Sequence, residues 1–257
     1  MSKLRVLDLF SGIGGFSLGL ERTGGFETVA FCEIEQRPRE NLKRHWPNVP
    51  AYEDVCTLTA ERLAADGVAV DVICGGFPCQ DISEANVHGA GLDGARSGLW
   101  AEYARLIGEI RPRYAIVENV AALLGRGLDR VLRDLASLGY DAEWHCIPAS
   151  YVGAPHERDR LWIIAYPSAG ERRPLDLSCD GVPWSDALSQ RQEGSGGPEE
   201  LLEAAWGDDP LMVADAISRM DDGVSVRLDG FNGCANAVVP QIPEMIGHAI
   251  LQARSAA

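Results

Sequence analysis

Apolar residues in the first part of the chain follow two alternating patterns. Short runs rich in Val, Ile, Leu and Phe are typical of strands, and the nearly continuous apolar run 70–77 predicts a strand buried on both faces. Between these runs, apolar positions recur three or four residues apart, as at Leu99, Tyr103, Leu106 and Ile110, and this spacing predicts helices. The predicted strands are 5–10, 26–35, 51–55, 70–77, 113–120, 141–150 and 160–166, and the predicted helices are 15–24, 35–47, 58–67, 97–112 and 127–139.

The alternation of strands and helices predicts an α/β fold with a doubly wound, mainly parallel sheet and right-handed crossovers. The short run 51–55 is expected at an edge of that sheet. Only the segment YVGAPHERD separates the last two predicted strands, which is too short for a crossover helix. We therefore expect those two strands to be antiparallel neighbours.

The alternating pattern divides the chain into three parts. It ends near residue 165, and residues 166–229 show little periodicity and contain segments such as EGSGGPEE and WGDDP. The range 230–257 closes with an apolar helix that has to pack on another part of the protein. We predict a main domain at 1–165, a small insertion at 166–229, and a C-terminal segment at 230–257 that packs back on the main domain.

Composition narrows the class of protein. The chain has 257 residues, a net charge of −15, and seven cysteines that form no CxxC pair, so neither a disulfide framework nor a zinc site is expected. No apolar run is long enough for a membrane span, and the first residues lack a signal-peptide pattern, so we expect a cytoplasmic protein. The acidic balance by itself argues against a nucleic-acid partner.

A glycine-rich turn, DLFSGIGGF, follows the first predicted strand and leads directly into a helix. Glycines allow a ligand to approach the backbone, and a helix N-terminus favours polar groups. Glu33 ends the second predicted strand and Asp54 the third, where these carboxylates could bind the ribose and the adenine of a nucleoside cofactor. The alternative is a structural glycine turn with surface acids.

Cys79 lies in GGFPCQDIS, directly after the buried strand 70–77. This is the carboxyl edge of the sheet, where α/β proteins bind their ligands, and a thiolate there would be a nucleophile. The alternative is a buried, inert cysteine, which is the interpretation that we favour for Cys74 and Cys146 because both lie inside apolar runs.

Glu118 ends the next predicted strand, within ENV, and Arg158 and Arg160 lie within HERDR. In an extended segment the two arginines would point to the same face. The alternatives are a helix cap formed by Glu118 or Asn119, and a solvated run of charges.

Together and in this order, these segments resemble the motifs of the DNA (cytosine-5)-methyltransferase family, and most of all its short bacterial and phage members. The matching segments are DLFSGIGGFSLGLE, GGFPCQDIS, ENV, HERDRLWIIA and NAVVP, and the resemblance covers roughly residues 4–165 and 224–250. It implies a seven-stranded mixed sheet of the S-adenosylmethionine-dependent methyltransferase type with a small target-recognition insertion at 166–229. It also implies S-adenosylmethionine as cofactor, S-adenosylhomocysteine as product, and a flipped cytosine in duplex DNA as substrate.

The resemblance also implies roles for individual residues. Cys79 matches the nucleophile that attacks carbon 6 of cytosine, and Glu118 matches the acid that holds ring nitrogen 3. Arg158 and Arg160 match the pair that stabilises the oxygen of the base. The matching cofactor residues are Phe10, Gly12, Ile13, Gly14, Glu33, Ile34, Asp54, Val55, Pro78, Asn236 and Ala237, and the matching DNA contacts are Gln80, Ser83, Arg96 and Arg227.

The sequence departs from the family pattern at four places, of which one is a weak match, GVSVRLDGFNG with Arg227, to the arginine-bearing segment that precedes the last motif. His156 replaces a glutamine of the arginine motif, and Ala235 replaces a glycine before Asn236. The insertion 166–229 has 14 acidic and only 5 basic residues, which predicts weak non-specific DNA binding. Its candidate contacts to bases are Arg172, Arg173, Arg191 and Arg219.

These observations favour a monomeric DNA cytosine-5 methyltransferase that needs no metal. Two alternatives stay open at this point: a methyltransferase that acts on tRNA, and a cofactor-binding accessory protein without catalytic activity. A Rossmann-fold oxidoreductase is disfavoured because the turn after the first predicted strand is not a GxGxxG fingerprint and Cys79 has no partner cysteine.

Overall fold

A computed structural model describes residues 2–78, 98–152, 158–169, 175 and 238–255. These residues form one seven-stranded sheet with the order β3-β2-β1-β4-β5-β7-β6. The strands are β1 Leu4–Leu9, β2 Phe26–Cys32, β3 Ala51–Tyr52, β4 Val72–Gly76, β5 Tyr114–Val120, β6 Tyr140–Pro148 and β7 Asp159–Pro167.

Strands β1 to β5 are parallel, and β7 is antiparallel to both β5 and β6. The predicted mixed, mainly parallel sheet is therefore confirmed, as are the edge position of β3 and the antiparallel pairing of β6 with β7. Strands β2 and β3 end earlier than predicted: β2 ends at Cys32, and β3 has only two residues. The residues that follow them turn away at the carboxyl edge of the sheet, where Glu33 and Asp54 lie.

Helices cover both faces of the sheet. They are α1 Gly15–Arg22, α2 Gln36–His45, α3 Ala60–Ala65, α4 Leu99–Ile110, α5 Leu123–Arg126, α6 Leu128–Ser137 and α7 Gln241–Ser255, with a 3₁₀ turn at Ala149–Val152. Buried residues of α3, α4, α5 and α6 form a core on one face, and those of α1 and α7 form a core on the other. The sequence pattern did not predict α5, because a single turn of helix is too short to show a period.

The C-terminal helix packs on the main domain, as the sequence predicts. Ile242, Ile246 and Ile250 of α7 are buried in the same core as Phe16 and Leu20 of α1. A Cβ atom added at Gly15 or Gly19 of α1 would collide with the backbone carbonyl oxygens of residues 238 and 240. The two glycines therefore allow the chain that enters α7 to cross closely over α1. The boundaries of the insertion 166–229 stay a prediction, because only residues 166–169 and 175 of it are described.

Within the described ranges, no helix combines the length and the apolar character needed to cross a lipid bilayer.

The charged groups of Arg5, Asp71 and Arg113 form a network at the amino edge of the sheet. Arg5 Nε lies 2.8 Å from Asp71 Oδ2, and Arg113 Nε lies 3.6 Å from Asp71 Oδ1. These two arginines hold the pKa of the Asp71 carboxyl below its usual range, mainly through the hydrogen bond from Arg5.

Candidate active site

The predicted site residues that are described lie at the carboxyl edge of the sheet. The turn 10–14 follows β1, Glu33 and Ile34 follow β2, Asp54 and Val55 follow β3, Pro78 follows β4, Glu118 lies near the end of β5, and Arg158 and Arg160 lie at the start of β7. Because β7 is antiparallel to β5, the start of β7 reaches the same edge as the end of β5. In α/β sheets this edge is the usual place for a ligand.

The glycine turn has left-handed backbone at every second residue. Phe10 has φ 52°, Gly12 has φ 53° and Gly14 has φ 89°. For a phenylalanine this conformation is strained, and such strain persists only where the surroundings hold it. Phe10 stacks on Tyr103 with ring centroids 6.4 Å apart, and the hydroxyl of Ser11 donates to the carbonyl oxygen of Asp8 at 2.6 Å. A Cβ atom at Gly14 would lie 2.8 Å from the Trp46 ring, so the turn and the helix behind it fit closely.

Glu33 connects the glycine turn to the segment after β2. Its Oε2 accepts a hydrogen bond from the amide of Gly12 at 2.8 Å, and its Oε1 accepts one from the amide of Glu35 at 2.9 Å. Each carboxylate oxygen can accept a second hydrogen bond, so the group retains capacity for two hydroxyls of a ligand. Next to it, Ile34 is 73% exposed, which offers an apolar surface to a flat ring. This combination suits the sugar and base of a nucleoside.

Arg105 of α4 holds the loop that carries Asp54 and Val55. Its Nη2 donates to the carbonyl oxygens of Val55 at 3.0 Å and Leu58 at 2.9 Å. Its Nε and Nη1 form ion pairs with Glu102 and Glu109, each at 2.7 Å. The two ion pairs hold the guanidinium on α4, and its Nη2 fixes the loop against that helix. The sequence pattern gives no sign of this role for Arg105, because nothing in a helical period reveals a contact with a loop some 50 residues away.

Glu118 and Arg160 form an ion pair inside the site. Arg160 Nε lies 2.9 Å from Glu118 Oε1, and the two side chains are 23% and 12% exposed. Burial raises the pKa of the Glu118 carboxyl, and the positive charges of Arg160 and then Arg158 oppose the rise. Burial thus favours the protonated form of this carboxyl, and the two arginines favour the ionised form.

The backbone at Arg158 is left-handed, and not extended as the sequence pattern predicts. Arg158 lies one residue before β7 with φ 31°, so the extended conformation expected across both arginines begins only at Asp159. The left-handed turn is therefore a correction to the predicted geometry. The positive charge of Arg158 nonetheless acts on Glu118, as its effect on the pKa of that carboxyl indicates.

Asn119 binds the loop after β4 and does not cap a helix. Its Nδ2 donates to the carbonyl oxygen of Phe77 at 3.1 Å, and its Oδ1 accepts from the amide of Val120 at 2.9 Å. Helix α5 begins later, after Ala122, and has no side-chain cap. The alternative role as a cap is therefore wrong for Asn119, because its side chain turns across β5 toward β4. The carbonyl that it holds immediately precedes Pro78 and the position of Cys79.

Asp8 is a buried acid beneath the glycine turn. Its Oδ2 accepts a hydrogen bond from the hydroxyl of Ser17 at 2.7 Å, and its Oδ1 is buried without a partner among the described residues. Burial raises the pKa of this carboxyl to about 7, and the hydrogen bonds from Ser17 oppose the rise. The neighbouring Cys74 is fully buried, and burial raises the pKa of its thiol. Burial also raises the pKa of Cys146, so neither thiol is poised to ionise at neutral pH.

The raised pKa of Asp8 predicts a specific dependence of stability on pH. The folded chain holds this proton up to about pH 7, whereas the unfolded chain releases it near its ordinary value of 3.8. Stability is therefore lost as pH rises between these values, by on the order of 4 kcal/mol in total. We expect Asp8→Asn to remove that loss. The free energy of unfolding, measured in urea, should therefore rise for the variant relative to the wild type between pH 4 and pH 8.

Asp71→Asn is the control for this experiment. The pKa of Asp71 is lowered, so its contribution to stability is present above its unfolded pKa and disappears only as pH falls toward acid. We expect Asp71→Asn to be destabilised by a similar amount at pH 5 and at pH 8. Equal pH slopes for wild type and Asp8→Asn would show that Asp8 is not the titrating group.

Several predicted site residues lie outside the described residues. They are Cys79, Gln80, Ser83, Arg96, Arg227, Asn236 and Ala237, together with the departures His156 and Ala235 and the candidate base contacts Arg172, Arg173, Arg191 and Arg219. In the parts of the chain that the structure describes, no three His, Cys, Asp or Glu side chains converge in a way that could hold a metal ion.

The sheet order, the glycine turn after β1 and the acid after β2 define a methyltransferase of the Rossmann-like class. The chain belongs to the C-5 cytosine-specific DNA methylase family, whose family model matches residues 4–190. Membership confirms the resemblance drawn from the sequence motifs.

Known relatives are similar to about two thirds to three quarters of this chain. The type II methyltransferase M.HgiBI of Herpetosiphon aurantiacus is 34% identical over 196 residues, which are 74% of this chain and 42% of the relative. M.Sau3AI of Staphylococcus aureus is 33% identical over 199 residues, which are 68% of this chain and 48% of the relative. This chain thus spans about half the length of the curated relatives that it matches.

A solved structure shares the fold. It is the crystal structure of a protein encoded within a prophage of E. coli and described as a DNA modification methyltransferase. The two proteins are 28% identical with a TM-score of 0.59, and the match covers 70% of this chain and 52% of the other. The similarity supports the seven-stranded architecture that places the candidate site at the carboxyl edge.

Proposed function

We propose that this protein transfers a methyl group from S-adenosylmethionine to carbon 5 of cytosine in duplex DNA, at a short specific sequence. The observation that carries the proposal is the buried ion pair between Glu118 and Arg160, at the sheet edge where the loop after β4 leads to Cys79. A buried acid with a raised pKa beside an arginine matches a ring with one nitrogen and one oxygen to be held, which is the edge of cytosine.

The described residues of the cofactor cleft fit S-adenosylmethionine. Glu33 would accept hydrogen bonds from the ribose hydroxyls, and the exposed Ile34 would contact the adenine, with Asp54 and Val55 at its far side. Gly12 and Gly14 place no side chains of their own on the turn, and Phe10, Ile13 and Pro78 complete the candidate set. When bound, the cofactor supplies an electrophilic methyl group. Asn236 and Ala237 are proposed to join this cleft on the basis of sequence.

Catalysis would begin with Cys79. Its thiolate forms a bond to carbon 6 of the cytosine, and the electron pair of the bond between carbons 5 and 6 makes carbon 5 nucleophilic. Glu118 donates its proton to nitrogen 3 and so neutralises the charge that the addition creates in the ring. After methyl transfer, which would release S-adenosylhomocysteine, a base removes the proton from carbon 5. The bond to Cys79 then breaks as the double bond returns, and nitrogen 3 gives its proton back to Glu118.

Arg160 and Arg158 would hold the oxygen of the base and tune Glu118. Arg160 already binds one oxygen of the Glu118 carboxyl, and both guanidinium charges limit how far its pKa rises. Too high a pKa would leave the proton bound too tightly to transfer, whereas too low a pKa would leave no proton to donate. The pair of arginines thus opposes the effect of burial on the pKa of the acid.

The target base has to leave the duplex to reach these groups, because the side chains of Glu118 and Arg160 are largely buried at the carboxyl edge of the sheet. Gln80, Ser83, Arg96 and Arg227 are proposed DNA contacts from their place in the motifs. Most of the excess acidic charge lies in the insertion 166–229. We therefore expect specific contacts to dominate over non-specific attraction, and binding to weaken as salt rises.

Methylation in a cell tests the proposal. The full chain is expressed in a host that lacks cytosine methylation, and the host DNA is sequenced after bisulfite treatment, with an empty vector as control. We expect cytosines protected in one sequence context. Protection in RNA without protection in DNA would transfer the activity to an RNA substrate, and protection in neither, with cofactor binding intact, would indicate a non-catalytic accessory protein.

Arg105 gives a separate test of the cofactor cleft. Arg105→Met removes both hydrogen bonds to the loop that carries Asp54 and Val55, so we expect the KM for S-adenosylmethionine to rise about 10-fold, with kcat unchanged at saturation. The matched control is Arg133→Met, which removes an exposed ion pair with Asp129 on α6. A fall in kcat without a change in that KM would contradict the assignment of this loop to the adenine.

A further inference from the structure

Gly76 lies beside the proposed acid. It is the last residue of β4, and it is in register with Glu118 on the parallel strand β5. A Cβ atom added at Gly76 would lie 2.5 Å from Glu118 Oε2, and the next nearest atoms, at 3.6 and 3.7 Å, also belong to Glu118. The space that a side chain would need at this position is therefore filled by the carboxylate.

The preceding glycine meets a different neighbour. A Cβ atom at Gly75 would collide with the backbone carbonyl of Leu9 on β1, so Gly75 is required for the two strands to pair. At Gly76 the obstacle is the end of a side chain and not the backbone, so an added methyl group would not disturb the pairing of the strands. A methyl group at Gly76 is thus compatible with the sheet but not with the observed position of Glu118.

The carboxylate has little freedom to make way. Its other oxygen is held by Arg160 Nε at 2.9 Å, and its side chain is only 12% exposed. Moving it away from a methyl group at residue 76 would stretch or break this ion pair inside the site. The position of the acid is therefore defined from two sides, by a guanidinium on β7 and by the absence of a side chain on β4.

We propose that Gly76 is a positioning residue for catalysis: its missing side chain allows the carboxyl of Glu118 to stand between β4 and Arg160. This inference rests on the proposed function for the role of Glu118, whereas the steric relation between residues 76 and 118 is independent of it. Gly76 acts through Glu118 and needs no contact of its own with the substrate.

The first test compares Gly76→Ala with Gly125→Ala. A Cβ atom at Gly125 has no atom within 4 Å, so this control adds the same methyl group without a collision. For Gly76→Ala we expect kcat to fall about 10²-fold, which is the scale of loss when a reacting group is misplaced by about 1 Å. We expect the KM for S-adenosylmethionine to stay at its wild-type value. Wild-type kcat in Gly76→Ala would overturn the proposal.

The pH profile separates positioning from general damage. A carboxyl displaced from Arg160 loses a positive neighbour, so its pKa rises and the alkaline limb of the kcat profile shifts to higher pH. A variant that is merely less stable would keep the wild-type limb. An unshifted limb together with a lower kcat would therefore also overturn the proposal.

A double-mutant cycle tests the geometry without relying on activity. Gly76→Ala is made in the wild type and in Glu118→Ala, and the urea midpoint of each protein is measured. We expect Gly76→Ala to lower the midpoint in the wild type and to leave it unchanged when residue 118 is alanine. Equal losses in both backgrounds, or failure to fold in both, would show that the added methyl group collides with something other than Glu118.

The cycle also distinguishes a failure of the proposed function from a failure of the steric inference. If the wild-type protein methylates no nucleic acid, the proposed function fails, but a coupled Gly76 and Glu118 still support the steric inference. If the wild type is active and the cycle shows no coupling, the function stands and the inference fails.

Discussion

Cys79→Ala is expected to abolish methyl transfer while leaving the fold and cofactor binding unchanged. We expect the rate to fall by at least about 10⁴-fold, which is the scale of loss when the nucleophile is removed from a set of catalytic residues that act together. Carbon 5 of cytosine is a poor nucleophile until a bond forms at carbon 6, and neither Glu118 nor Arg160 can supply that bond. The measurement is the initial rate of methyl transfer into duplex DNA, together with the affinity for S-adenosylhomocysteine.

Cys146→Ala is the matched control for this experiment. Cys146 is half-buried on β6 and burial raises the pKa of its thiol, so we expect its replacement to leave the rate at the wild-type level. A second readout uses DNA with fluorine at carbon 5 of the target cytosine, where no proton can leave and the adduct persists. The wild type and Cys146→Ala should form this adduct and Cys79→Ala should not. An active Cys79→Ala protein would refute the mechanism.

Arg160→Met is expected to weaken both stability and catalysis. It leaves the Glu118 carboxyl buried without its ion-pair partner, which costs about 3 kcal/mol where the carboxyl is ionised. The cost shrinks at low pH, because the carboxyl then holds a proton and no buried charge remains. We expect the free energy of unfolding to fall further behind the wild type at pH 8 than at pH 5, and kcat to fall on the order of 10² to 10³-fold.

Two further variants test this account of Arg160. If the unpaired carboxylate is the cause, Glu118→Gln combined with Arg160→Met should recover much of the lost stability at pH 8, although not the activity. Arg160→Lys should keep the charge but lose part of the geometry, because an ammonium group cannot reproduce the planar guanidinium. A loss of stability that is equal at both pH values, and unchanged by Glu118→Gln, would assign a different role to Arg160.

The candidate site illustrates how far sequence order can lead. Glu33, Asp54 and Glu118 were predicted at strand ends, and the carboxyl ends of parallel strands share one edge, so their common location followed from the pattern. Their hydrogen-bond partners did not follow from the pattern. The amide of Gly12 that binds Glu33 and the carbonyl of Phe77 that binds Asn119 depend on loop conformations that leave no periodic signal.

The position of β7 decided the most important contact. The pattern predicted that β6 and β7 would be antiparallel neighbours, but not that β7 would insert between β5 and β6. The position of β7 between β5 and β6 pairs Arg160 with Val120 on β5, two residues from Glu118, and so brings the guanidinium to the acid. Local hydrophobicity is the same in either strand order, which is why the sequence left this contact open.

By itself, the sequence determined the class of sheet, the glycine turn, the return of the C-terminal helix and the family, because each is encoded in local periodicity or in a short motif. Only the tertiary structure decided which groups meet: Arg160 with Glu118, Arg105 with the loop after β3, and Gly76 with the carboxylate beside it. Local patterns report which face of an element is buried. The register between strands, which is set by packing over the whole sheet, determines which side chains become neighbours.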